Sequence, residues 1–335
     1  MSTHAKPSVA VIGTGGTIAS VGGDGLELVR YIDRKRMLPI DDLLARTPEL
    51  AQVADVTPIA YDMLQSHGIG PGDWLALVSR IHALVAERPG LDGIVVTHGT
   101  ATLEETAYFL NLALKVDVPV VLVGAQRPAT AVSGDGPLNL VNGVRTAGSP
   151  DARGMGVMIV LNDEIQAARE GTKTSTLRLQ TFRSPDFGAL GHTDADGVAF
   201  YRAPLRRHAP DTEFDVSGLD ALPRVDVVHA YAGADGALVR ACVEAGAQGI
   251  VAAGFAPGLV PPAQLEALNE AARAGVAVAH CSRVGSGRVP ALGGSHAPGS
   301  VTTDNLTPQK ARILLMLGLT RTRDRGELQR MFDTY

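Results

Sequence analysis

SVAVIGTGGTIA, residues 8–19, sets a short Val/Ile run directly against a glycine-rich loop, Gly13-Thr14-Gly15-Gly16-Thr17-Ile18-Ala19. A buried strand that ends in such a loop is the opening unit of an open α/β sheet, and such sheets bind ligands beyond the carboxyl ends of their strands. The pattern recurs down the chain. GIVVTHG from Gly93, PVVLVGA from Pro119, GVMIVLN from Gly156, VDVVHA from Val225, GIVAAG from Gly249 and VAVAHC from Val276 are further strand candidates. Helical patterns over residues 74–87, 103–114, 237–245, 262–274 and 308–319 lie between them. Strands alternating with helices predict βαβ units and a two-domain α/β protein. The expected arrangement is a parallel-sheet N-terminal domain with helices on both faces and a smaller α/β C-terminal domain. The irregular stretch 201–223, with Pro204, Pro210 and Pro223, marks the joint. The expected boundaries are residues 1–205, a linker at 206–223, and 224–335.

A length of 335 residues suits two cores better than one. Hydrophobic residues make up 45% and charged residues 19%, the balance of a globular protein, and a formal net charge of -5 offers no basic footprint for nucleic acid or an anionic membrane. A small-molecule partner is therefore expected. Cys242 and Cys281 sit in apolar surroundings and are read as buried free thiols. The first residues carry no basic segment followed by a long apolar one, so a cytoplasmic location is expected.

The glycine-rich loop invites comparison with nucleotide-binding fingerprints, but G-x-G-x-x-G would need Gly where Ile18 stands, and no G-x-x-x-x-G-K-[ST] occurs. What remains is a pair of threonine hydroxyls among glycines, whose missing side chains let a substrate approach backbone N–H groups. A second strand ends in His98-Gly99-Thr100-Ala101-Thr102. Thr102 and Glu105 have the spacing of a capping box, which leaves Thr100 just ahead of a helix N-terminus facing the ligand crevice. His98 is either a base or a structural histidine. Lys173, among Thr172, Thr174 and Ser175, is either a solvated loop lysine or a desolvated proton acceptor. The nine histidines show no H-E-x-x-H or other tight ligand cluster, and neither metal nor cofactor is expected.

Six motifs in order make a more specific case. They are T-G-G-T-I-A from Thr14, T-H-G-T-x-T-x-E-E-T-A-Y-F-L from Thr97, G-A-x-R-P-x-T from Gly124, D-G-P-x-N-L from Asp135, T-K-T from Thr172 and L-x-P-Q-K-A-R-I-L-L from Leu306. Together they resemble the bacterial L-asparaginases and glutaminase-asparaginases over nearly the whole chain. The resemblance implies a threonine-nucleophile amidohydrolase, a homotetramer of intimate dimers. It assigns the nucleophile to Thr14 on the glycine loop, a lid tyrosine to Tyr31, and an activating pair to Thr100 and Lys173. Ser66, His67, Gly99 and Ala101 fall on substrate-binding positions.

The chain also departs from that pattern. Family members carry Asp after the second catalytic threonine, where it holds the substrate's α-ammonium; here it is Ala101. The Gln that shares this task aligns with His67, and residues 285–300, expected to supply a Glu to the neighbouring subunit, contain no acid. Ser66, expected to bind the α-carboxylate, is retained. The losses converge on one substrate group. They point to a small carboxylic acid with a carboxamide or ureido bond and no α-ammonium, because an unpaired ammonium is costly to bury. Two alternatives stand beside this reading: an ordinary asparaginase or glutaminase, either native or with Ala101 an engineered residue, and a ligand-binding homologue without turnover.

Overall fold

The computed structural model describes residues 5–335, which divide into two compact units, the first ending at Thr212 and the second running from Glu213 to Tyr335. The division falls within the irregular stretch between the two series of strands.

Strands of the first unit are β1 (Ser8–Gly15), β2 (Asp55–Leu64), β3 (Gly93–Thr97), β4 (Val120–Val123), β5 (Val157–Leu161), β6 (Glu164–Ala167), β7 (Thr172–Lys173), β8 (Phe182–Arg183), β9 (Gly191–Asp194) and β10 (Gly197–Phe200). Eight form one sheet in the order β10-β9-β6-β5-β4-β3-β1-β2, while β7 and β8 make a separate antiparallel pair. β2, β1, β3, β4 and β5 run parallel, and β6, β9 and β10 extend the sheet antiparallel. Every residue of β3, β4 and β5 is buried, which is why these strands read as unbroken apolar runs instead of alternating ones. Val95 and Val123 face the helix Gly136–Ala147, where Gly143 gives them room.

The second unit is a four-stranded parallel sheet, β11 (Val225–His229), β12 (Gly249–Gly254), β13 (Ala277–Ser282) and β14 (Val301–Thr302), in that order. Val239 and Leu268 from two of its helices pack with Val228, Ile250, Ala252 and Val278 of the sheet. Cys281 is buried and Cys242 half-buried, both as free thiols. Among the described residues no helix is long and apolar enough to cross a membrane.

What positions the site is the order of the parallel strands. The chain leaves β1 for β2 on one side, and β3 lies on the other, so the loops after β1 and β3 diverge at a topological switch point. The register sets Gly13 beside Thr97, and Thr97 beside Val123, so three carboxyl ends are level. Gly16, at φ 85°, lies so close to Gly99 that a Cβ there would collide with the Gly99 backbone. A Cβ on Gly99 would in turn strike Ser66, so the loops after β1, β3 and β2 touch with no side chain between two of them.

Candidate active site

Those loops enclose a cavity of about 200 Å³. Thr17, Ser66, Thr100, Ala101, Gln126 and Lys173 form its polar end, and Leu28, Val29, Ile32 and Leu177 contribute apolar surface.

The two threonines of the glycine loop part company here. β1 continues through Gly15, so Thr14 is still a strand residue, and its side chain is spent inside the sheet. It is 2% exposed, its Oγ1 donates to the Thr97 carbonyl at 2.6 Å, and it does not line the cavity. Thr17 opens the short turn Thr17–Ala19 just beyond the strand and does line it. Its Oγ1 lies 2.9 Å from the phenol oxygen of Tyr31. The structure thus turns Thr17, and not the expected Thr14, toward the space where a substrate would sit.

Tyr31 belongs to the turn Arg30–Arg34 and is 8% exposed. Burial raises its pKa, against the opposing effect of the Thr17 hydrogen bond, so at neutral pH it is a phenol that can orient a hydroxyl. Across the cavity, Lys173 Nζ donates to Thr100 Oγ1 at 2.7 Å. Lys173 ends the two-residue strand β7, and its backbone N–H reaches Glu104 Oε1 at 3.5 Å. Burial lowers the Lys173 pKa while the Glu104 charge raises it. A partly desolvated amine bonded to a hydroxyl is the arrangement that lets an alcohol surrender its proton.

Ser66 opens the turn Ser66–Gly68 after β2, with exposed His67 beside it at the rim. Thr102 stands at the cap position of helix Leu103–Ala113, but its hydroxyl makes no cap bond. It donates instead to the Ser66 carbonyl at 2.7 Å, tying the Ser66 turn to the start of that helix beside Ala101. The capping-box expectation is therefore corrected: a tertiary partner takes the hydroxyl. Gly99 packs between Gly16 and Ser66 and is not among the lining residues. His98 is buried, its Nδ1 2.8 Å from the Gly99 carbonyl, with its pKa lowered to about 4 by desolvation. It is a neutral histidine that shapes its own loop, away from the cavity lining.

Besides Thr17, several lining residues were not expected from the sequence, three of them Gln126, Lys35 and Arg36. Gln126 stands in the variable place of G-A-x-R-P-x-T, and Lys35 and Arg36 lie at the mouth. The lining contains no Asp or Glu among the described residues. No group of three or more His, Cys, Asp or Glu comes together there or elsewhere among them in a way that could hold a metal ion.

A threonine, a partly desolvated lysine and a phenol around one small cavity are the groups that a hydrolase of the alcohol-using class would need. Comparison with known proteins gives that class its family. Residues 8–206 match the family model "Asparaginase, N-terminal" and residues 224–332 match "Glutaminase/Asparaginase C-terminal domain". The chain is 42% identical to "L-asparaginase 2" of Bacillus subtilis over 98% of its length and 87% of that protein. It is 41% identical to "Glutaminase-asparaginase" of Pseudomonas fluorescens biotype A, covering 98% and 90%. The crystal structure of "Probable Cytoplasmic L-asparaginase" from Campylobacter jejuni superposes with a TM-score of 0.94 at 40% identity, covering 98% of this chain and all of that one. The chain belongs to the asparaginase family and is a hydrolase of amide C–N bonds.

Proposed function

We propose that the enzyme hydrolyses a small carboxamide that carries a carboxylate and no α-ammonium, with Thr17 as the nucleophile. The observation that carries this reading is the charge of the cavity: Lys35 and Arg36 line it, and no carboxylate does among the described residues. Asparagine would bring a cation into a site with no anion to meet it, whereas a half-amide of a dicarboxylic acid brings only a carboxylate. Ala101 contributes a methyl group at the position where the family resemblance leads one to expect the ammonium-binding Asp.

In the proposed reaction Thr17 Oγ1, oriented by Tyr31, bonds to the amide carbon. Its proton passes through Thr100 to neutral Lys173 and on to the leaving nitrogen as the C–N bond breaks, releasing ammonia. Water then attacks the Thr17 ester. The same pair takes the water's proton and returns it to Thr17, freeing the carboxylic acid. Thr17 is favoured over Thr100 because it is the more exposed hydroxyl, while Thr100 is buried against its lysine.

The test is ammonia release from L-asparagine, L-glutamine, succinamate, malonamate and ureido acids. Succinamate or another amine-free amide is expected to give the highest kcat/KM. Asparagine turning over far better than every amine-free amide would overturn the substrate reading. The same proposal makes the enzyme a homotetramer, to be read by sedimentation. It also places the enzyme in the cytoplasm, the location given in the name of the Campylobacter jejuni relative, and cell fractionation would check this.

A further inference from the structure

One buried polar side-chain atom in the lining of the cavity has no partner among the described residues. Thr17 is paired with Tyr31, Thr100 with Lys173, and Ser20 Oγ donates to the Gly16 carbonyl at 2.9 Å. Gln126 lines the same space and is 8% exposed, yet its buried Nε2 has no hydrogen-bond partner among the described residues. Native proteins rarely leave a buried donor unmet, because the lost hydration is not repaid, so such a group calls for a functional explanation.

The loop that carries Gln126 is held firmly. Asp135 accepts from the backbone N–H groups of Gln126 at 2.8 Å and Arg127 at 2.9 Å. Asn139 Nδ2 ties both Asp135, at 3.2 Å, and the Gly124 carbonyl, at 3.0 Å. Gly124 itself packs under the Thr100 methyl. The side-chain amide thus springs from a backbone fixed by three hydrogen bonds, with a fourth bracing Asp135, in the same lining as the Thr100–Lys173 pair. A donor preset on a rigid loop recognises an acceptor at little ordering cost.

We propose that Gln126 is a specificity-determining residue whose side-chain amide donates to a carboxylate oxygen of the substrate. This rests on the reading of the cavity as an amidase site that binds a carboxylate. It adds the neutral donor that, with Ser66, holds that carboxylate in place.

The test is Gln126→Met, nearly isosteric and unable to donate, with Gln126→Glu as the like-charged counterpart. With succinamate as probe, Gln126→Met is expected to raise KM about ten- to hundredfold, the range for losing one hydrogen bond to a charged group, with kcat within about threefold. Gln126→Glu should raise it further. The Tm of ligand-free Gln126→Met should equal or exceed that of the parent, since an unmet donor has been removed, while the Tm rise on adding succinate shrinks. Unchanged KM in both variants overturns the proposal. So does a fall in ligand-free Tm with KM and kcat degraded together, which marks a structural residue. Should asparagine prove the better substrate, the same measurements are made with it. Asparagine also carries a carboxylate, so failure of the substrate reading and failure of the Gln126 proposal give different results.

Discussion

Ala101→Asp puts a carboxylate into a lining that otherwise has none among the described residues. The position is exposed and lies two residues ahead of the helix Leu103–Ala113, where the macrodipole favours a negative side chain, so folding is not at risk. Two opposite charges about 4 Å apart attract by about 4 kcal/mol at an effective dielectric of about 20. Solvent screening and desolvation of both groups leave roughly 1–3 kcal/mol, a factor of about 5–150 in binding. The same carboxylate repels the carboxylate of an amine-free amide. The ratio of kcat/KM for asparagine to that for succinamate should therefore rise at least by this factor, chiefly through KM, in coupled ammonia-release assays of parent and variant. A ratio that stays put in a folded Ala101→Asp protein would refute the reasoning that the missing carboxylate sets the substrate.

Three further outcomes follow from named contacts. Thr14→Val removes a buried hydroxyl that bonds the Thr97 carbonyl, so it should cost about 1–2 kcal/mol in denaturant unfolding and leave kcat within a few-fold, whereas Thr17→Ala should keep its stability and lose roughly a thousandfold or more in kcat. Lys173 acts as a base when neutral, so activity rises as pH passes upward through its pKa; Glu104→Gln removes the charge that raises this pKa, and the acid limb of the kcat/KM profile should move to lower pH. His98 has its folded-state pKa lowered from 6.5 to about 4, so the unfolded chain takes up its proton first as pH falls. Its contribution is intact above about pH 6.5 and lost progressively toward pH 4, by about 2 kcal/mol between pH 7 and 5, a dependence that urea unfolding should find weaker in His98→Gln.

The strands that read plainly from sequence were those buried on both faces, such as β3 and β5, because continuous Val/Ile runs have one physical meaning. β2 was illegible for the opposite reason. It lies at the edge of its sheet, carries Pro58 and buries only Ile59 of its ten residues, so it shows no apolar run. The helix Gly136–Ala147 was hidden by Gly143, which serves the packing of Val123 and Val95 rather than helix propensity. Within the site, Thr100, Lys173 and Ser66 were legible as motif positions, and the structure brings all three to one cavity. The choice between Thr14 and Thr17 was not. It depends on where β1 stops, and element ends are the least readable feature of a sequence. Gln126 was passed over because a glutamine in a variable motif position says nothing until its amide is seen without a partner.

The residue that receives the acyl group decides the mechanism. Rapid quenching of the enzyme during succinamate turnover, followed by peptide mapping by mass spectrometry, should place a succinyl ester on Thr17. A succinyl group on Thr100 or Thr14, or ammonia release from Thr17→Ala at the parent rate, would contradict it.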